Sequence, residues 1–243
     1  DRVVEKTRLR VLKAVEELGY TPNFGARVMA AKRTFTIGAI IPTMENAIFA
    51  RGIQAFQEEL HSRGYTLLIS SSAYQPKLEQ EQIRALVSRG ADGLLLIGYE
   101  RDSEIYGYLE RQNKPVLVAW AFSNEHDLPA IGFDNCASMQ DLTDAVIEHG
   151  HRKIGVISGI TKGNDRAVQR LKGIKQGVEN SDQTVEIVDV IETPYEVENG
   201  GDAFAQIMDS HVRPTVIMCG NDVLAVGALR RAHEMGLRVP QDV

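Results

Sequence analysis

The chain has 243 residues, enough for one large domain or two ordinary ones around a sizeable core. Its 27 Lys and Arg against 33 Asp and Glu give a net charge of -6, which taken alone speaks against a nucleic-acid partner. The average hides a split: residues 1–34 carry eight basic and four acidic side chains, net +4, leaving -10 for the remainder. A basic head on an acidic body suggests an anionic partner at one end only. Cys136 and Cys219 lie far apart and follow no metal-ligand spacing, so no disulfide framework is expected and a reducing compartment is the default. No run approaches the roughly 18 apolar residues of a membrane span, and Asp1 to Lys13 has no apolar region of a signal peptide. The expectation is a cytoplasmic chain without a membrane partner.

Taken in order, Val4, Val11, Leu12, Val15 and Leu18 recur at helical spacing, and Gly19 stands where a helix C-cap belongs. Pro22 forces Thr21 out of helical geometry, and Asn23 is a good N-cap for a second helix through Ala26, Arg27, Met29 and Ala30. At about nine residues that helix needs a partner to stay ordered. From Thr36 the pattern changes to apolar runs: Ile37–Ile41, Thr66–Ser70, Gly93–Ile97, Pro115–Phe122, Ala130–Phe133, Lys153–Ser158, Val185–Ile191 and Pro214–Cys219. Amphipathic stretches separate most of them, among them Ala50–Arg63, Leu78–Arg89, Cys136–His149, Arg166–Glu179 and Asp222–Met235. Alternation of this kind predicts an α/β fold of βαβ units, with parallel sheets flanked by helices. The helix-free join between Pro115–Phe122 and Ala130–Phe133 is the expected place for the chain to cross between two lobes.

Ligands of such sheets bind beyond the carboxyl ends of the strands. No G-x-G-x-x-G or Walker pattern follows a strand, and no G-x-S-x-G elbow exists. His149-Gly150-His151 lacks a carboxylate or Cys at ligand spacing, so no metal is expected. The acids from Glu196 to Asp202 read as a solvated helix start rather than a cation site. No acid/base pair sits at a strand end, and neither an enzyme nor a cofactor is expected. What remains after the strands is Phe49, Trp120, Phe122, Asn164, Arg166, Arg170, Tyr195 and Asn221: aromatic faces with a few polar groups, as a pocket for a polyhydroxylated ligand needs. For Phe49 and Phe122 plain core is an equal reading, and Arg166 reads also as a solvated helix residue. Arg170 lies one helical turn after Arg166, so both can face one way.

Several motifs in a fixed order carry a resemblance: Thr7-Arg8, Val11 to Asn23 and Ala26-Arg27; Ile37 to Pro42; Asp92-Gly93; Asp134-Asn135; Gly150 to Ile154; Arg170-Leu-Lys-Gly173; Arg213-Pro-Thr215; Asn221-Asp222 with Ala225 and Gly227; and Gly236 to Val243. With them the chain resembles bacterial transcription regulators of the lactose-repressor family over essentially its whole length. The resemblance implies a DNA-binding head and hinge helix in residues 1–34 and a two-lobed, periplasmic-binding-protein-like effector domain in 35–243. The lobes would divide at about 133/134. It further implies a homodimer reading a near-palindromic operator, with a small-molecule effector, a sugar or sugar derivative, that shifts affinity.

Position by position, it assigns Thr7, Arg8, Tyr20, Asn23, Ala26, Arg27 and Met29 to the DNA side, Met29 as an apolar wedge between base steps. Ile48, Phe49, Asn164, Arg166, Arg170, Tyr195 and Asn221 fall on pocket positions. The family's first two helices would precede residue 1, and a further strand with an acidic pocket residue would follow Val243. A fragment of a longer regulator is therefore expected, able to bind operator DNA only with those helices. The competing classes are a solute-binding protein of a sugar transporter, which leaves residues 1–34 without a role and predicts a signal peptide, and a sugar-processing enzyme, which needs the missing acid/base pair.

Overall fold

The computed structural model describes residues 3–20 and 33–243. The expected second helix, with Asn23, Ala26, Arg27 and Met29, lies outside the described residues. Ahead of it, α1 (Glu5–Glu17) forms where the apolar spacing predicts. Gly19 closes it at φ +59, with the Tyr20 N–H returning to the Val15 carbonyl at 3.0 Å, a left-handed closure that costs glycine nothing. None of the α1 residues is buried, and Thr7, Arg8 and Tyr20 all stand exposed.

The body enters its first sheet through Asp92, whose carboxylate accepts the N–H groups of Thr34 (3.2 Å) and Phe35 (2.8 Å). Then follow β1 (Thr36–Ile41), α2 (Ala47–Ser62), β2 (Thr66–Ser71), α3 (Pro76–Ser88), β3 (Gly93–Ile97), α4 (Ser103–Arg111), β4 (Val116–Ala119) and β5 (Ala130–Ile131). The strands make one parallel sheet in the order β2-β1-β3-β4-β5. Every residue of β3 is buried, whereas β2, at the edge, is mixed. A central parallel strand is covered on both faces and therefore reads as an unbroken apolar run. One face packs Ile40, Leu96 and Val118 against Ile83, Ile105 and Leu109; the other packs Ala39, Ile41 and Ile97 against Phe49 and Ile53.

The second lobe repeats the scheme with α5 (Asn135–Glu148), β6 (Lys153–Gly159), α6 (Asp165–Glu179), β7 (Glu186–Thr193), α7 (Val197–Met208), β8 (Val216–Cys219) and α8 (Asp222–Glu234) around a three-stranded parallel sheet in the order β7-β6-β8. Its helices approach closely through glycines. A Cβ on Gly173 of α6 would lie 3.0 Å from Gln140 N and on the Cys136 carbonyl of α5, and one on Gly227 of α8 would strike the Val197 carbonyl of α7. The acidic start of α7 is more than solvated, because Glu198 and Asp202 pair with Arg230 (3.2 Å) and Arg231 (2.7 Å) of α8.

One expectation is corrected. The join after β4 does not carry the chain between lobes, because β5 lies beside β4 in the same sheet, with Val118 opposite Ala130 and Ala119 opposite Ile131. The crossing comes after β5. Both strands are shorter than their apolar runs because Trp120 turns into left-handed backbone (φ +59) and breaks the ladder. Beyond the break, single bonds from Trp120 N to Ile131 O and from Phe122 N to Phe133 O, each 3.0 Å, continue the contact.

Candidate ligand-binding site

The carboxyl ends of the two sheets face each other, and short polar side chains at helix starts shape what they present. Asn164 precedes α6, where its Oδ1 accepts from Ala167 N at 3.4 Å while its Nδ2 donates to the Tyr195 hydroxyl at 3.3 Å. It is 2% exposed, so its amide both caps the helix and fixes a ring. That ring lies on Gly159 at the end of β6, where any Cβ would overlap it. Asn221 caps α8 by accepting from Leu224 N at 3.0 Å. Its side-chain oxygen is thereby committed to the helix, leaving the amide hydrogens as its donors.

Both arginines of α6 point into this region. Arg166 is 6% exposed, and its Nη1 pairs with Asp165 Oδ1 at 2.8 Å, which sets aside the solvated-helix reading. Arg170 donates from Nε to Asn135 Oδ1 (2.8 Å) and from Nη1 to Gly220 O (2.7 Å). Burial pulls the pKa of Arg170 below the ordinary arginine value, Tyr195 raises it and the Arg166 charge lowers it. Among the described residues, neither Arg166 Nη2 nor Arg170 Nη2 has a protein acceptor, so both remain available to a ligand oxygen.

Opposite stands Tyr74, which follows β2 with φ +57. Its ring lies 6.0 Å from that of Tyr195, tilted by 48°. Burial pushes its hydroxyl up to about 12, the neighbouring Tyr195 adds to the rise, and Arg166 and Arg170 act against it. Two rings and two guanidiniums thus share one region. A second aromatic step, Trp120, sets the edge of its six-membered ring against Gly52, where a Cβ would overlap it, and meets Phe49 edge-on at 5.3 Å. Asn135 joins the steps: 3% exposed, it donates from Nδ2 to the Trp120 carbonyl at 3.2 Å while accepting from Arg170.

Of the expected pocket residues, Trp120 and Arg170 lie on this line, which ends at Gly220 beside Asn221, while Asn164 and Tyr195 bond to each other and Arg166 to Asp165. Phe49, 5% exposed, is a core residue that buttresses Trp120. Ile48 and Phe122 are 51% and 46% exposed, and no hydrogen bond or ring contact among the described residues ties their side chains to the arginines. Sequence reading missed Tyr74, Asp165 and Asn135. Tyr74 follows a strand, which was the signal to follow; Asn135, inside a noted motif, follows the Ala130–Phe133 run by two residues, so the same signal applied to it. His149 and His151 are engaged elsewhere, on the Ala145 carbonyl (2.7 Å) and the Thr215 hydroxyl (3.0 Å). Cys136 and Cys219 are free thiols, and no helix among the described residues is long and apolar enough to cross a membrane.

Residues 34–243 match the family described as periplasmic binding proteins and sugar binding domain of LacI family. The HTH-type transcriptional repressor PurR of Klebsiella pneumoniae is 33% identical over 244 residues, covering 99% of this chain and 71% of that protein. Catabolite control protein A of Priestia megaterium is 27% identical over 241 residues, covering 99% and 73%. Among solved structures, a LacI-family transcriptional regulator from Silicibacter pomeroyi superposes with a TM-score of 0.89 over 100% of this chain and 73% of its own, at 22% identity. That last likeness concerns the fold.

Proposed function

Because the chain belongs to the LacI family of transcription regulators, we propose that it is a DNA-binding regulator whose operator affinity is set by a small-molecule effector held between its two sheets. The effector is a sugar or sugar derivative. The observation that carries this is the line from Trp120 through Asn135 and Arg170 to Gly220. Anything bound against Arg170 bears on the strand ends of both lobes at once. An effector shifts operator affinity only by binding two lobe arrangements unequally, and a ligand placed on this line is sensitive to their spacing.

Residues 1–34 supply the DNA side and 35–243 the effector domain, with the lobes dividing near 133/134. The regulator acts as a homodimer in the cytoplasm, by binding and without catalysis. Thr7, Arg8, Tyr20, Asn23, Ala26, Arg27 and Met29 are the DNA-side residues. Trp120, Asn164, Arg166, Arg170, Tyr195 and Asn221 contact the effector, with Phe49 behind them and Ile48 and Phe122 at the rim. Relatedness to transcriptional repressors favours this reading over that of a solute-binding protein.

A thermal-shift screen of sugars, sugar phosphates, sugar acids and nucleobases tests the reading, since a ligand stabilises the state that it binds. At least one compound should raise the melting temperature in a concentration-dependent way. In a chain that includes the DNA-binding helices expected ahead of residue 1, the same compound should change operator retention in a mobility-shift titration at fixed salt. Stabilisation without any change in operator binding would refute the regulatory claim.

A further inference from the structure

The two guanidiniums of α6 differ in what answers their charge. Arg166 holds Asp165 Oδ1 at 2.8 Å. That carboxylate is engaged on all sides, because Oδ1 also accepts the Arg166 N–H at 2.9 Å and Oδ2 accepts the Tyr99 N–H of the first lobe at 2.5 Å. Arg170 donates to neutral groups, Asn135 Oδ1 and the Gly220 carbonyl, and among the described residues no carboxylate makes an ion pair with it. Arg101, with its side chain 2% exposed, is paired with Glu79 at 2.7 Å, as enclosed charges ordinarily are. Glu100 does not fill this role for Arg170. It lines, with Tyr74, Gly163 and Arg166, a space of about 20 Å³ that Arg170 does not border.

Helix stability does not explain the pair. The start of a helix favours anions and disfavours cations, yet Arg166 is the second residue of α6 and Arg170 stands one turn further on. Burial pulls the pKa of Arg170 down, Tyr195 opposes the fall and the Arg166 charge adds to it. The groups around the two arginines are mostly donors. Arg166 Nη2, Arg170 Nη2 and the hydroxyls of Tyr74 and Tyr195 have no protein acceptor among the described residues. The side-chain oxygens of Asn135, Asn164, Asp165 and Asn221 each already accept from the protein. A sugar hydroxyl both gives and takes hydrogen bonds, whereas the oxygens of an ionised carboxylate or phosphate only take them. Free donors beside two like charges suit the second kind of group.

We infer that the effector is an anion, a sugar phosphate or a sugar acid, whose charged group lies between Arg166 and Arg170 and balances the Arg170 charge. This rests on the effector reading above and narrows it. A guanidinium meets either group through paired, charge-assisted bonds, and the Tyr74 and Tyr195 hydroxyls add donors. A neutral sugar in the same place leaves Arg170 without a countercharge and binds more weakly.

Calorimetric titration of matched compounds into the parent chain tests this: glucose, glucose 6-phosphate and gluconate, then ribose, ribose 5-phosphate and ribonate. Inorganic phosphate, compared with chloride at equal ionic strength, probes the charged group alone. Phosphate should raise the melting temperature where chloride does not. A charged compound should bind at least about tenfold more tightly than its neutral parent, the order of one charge-assisted contact. Tighter binding of the phosphates than of the acids identifies a phosphate group, and the reverse a carboxylate. In Arg166→Gln and in Arg170→Gln the preference for the charged compound should shrink toward none. A neutral sugar that binds as tightly as its charged partners would overturn the inference while leaving the effector site standing. Inorganic phosphate that acts no differently from chloride would overturn it as well, and so would a charge preference that survives both substitutions. A charge preference that never alters operator retention, in a chain carrying the DNA-binding helices, upholds the anion site and refutes the regulatory reading.

Discussion

Arg170 Nε and Asn135 Oδ1 are 2.8 Å apart, and the same Asn135 side chain reaches Trp120 O at 3.2 Å. A single amide at the start of α5 thus links the end of β4 in the first sheet to α6 of the second. Replacing Asn135 with Ala removes both bonds and leaves part of a buried guanidinium unpaired. It should cost about 1–3 kcal/mol of stability, read as a lower urea midpoint at unchanged slope. Asn135→Asp keeps the acceptor for Arg170 and should recover part of the loss; equal loss in both variants would show that the Arg170 bond contributes nothing.

Close helix approach in the second lobe gives a sharper prediction. A methyl at Gly227 would be driven into the Val197 carbonyl and toward Gly201 N. Backbone cannot step aside as a flexible side chain can, so Gly227→Ala should destabilise by about 1–3 kcal/mol or more. Gly107→Ala, whose nearest neighbour is the Arg111 guanidinium at 3.3 Å, should cost well under half as much. Thermal melts of the two variants side by side decide the matter.

Tyr74 predicts an alkaline effect. Burial and the nearby Tyr195 raise its pKa to about 12 in the folded chain, against about 10 when unfolded. Between those values the folded state binds more protons, so stability falls as pH rises from about 10 through about 12. Tyr74→Phe should flatten this part of the stability profile, by an amount on the order of 2 kcal/mol. An ultraviolet titration should show one tyrosine fewer at the high end of the range. An identical alkaline profile in the variant would contradict the placement of Tyr74.

The two thiols should differ in reactivity. Burial raises Cys219 to about 12, and it sits against the α7–α8 core. Cys136 is also pushed up by burial, with Lys172 pulling it down and Asp134 adding to the rise, and its Sγ donates to Gln176 Oε1 at 3.0 Å. Since the thiolate is the reacting form, a maleimide reagent near neutral pH should label Cys136 first and Cys219 only on unfolding. Mass spectrometry of partially labelled chain reads the order directly.

The sequence carried the fold well where local rules and packing agree. β3 begins and ends where the apolar run does, and α8 starts one residue after Asn221, its cap. It was less informative where a single residue departs from local preference. Nothing about Trp120 announces left-handed backbone, so Pro115–Phe122 read as one strand and the crossing between lobes was assigned to the wrong join. The site divides in the same way. Asn164, Arg166, Arg170, Tyr195 and Asn221 were found because they follow strands; Asn135 follows one too, but its place rests on partners in both lobes, the Trp120 carbonyl after β4 and Arg170 of α6. Tyr74 and Asp165 likewise gain their meaning from contacts made by the opposite lobe, which periodicity cannot reveal.

The most direct test of the effector site is a calorimetric titration, into parent and Arg170→Ala chains, of the compound that most raises the melting temperature. The account predicts that binding weakens at least about tenfold in the variant, the loss expected for a charge-assisted contact, while the far-ultraviolet spectrum is unchanged. An identical isotherm for both chains would place the ligand elsewhere and contradict it.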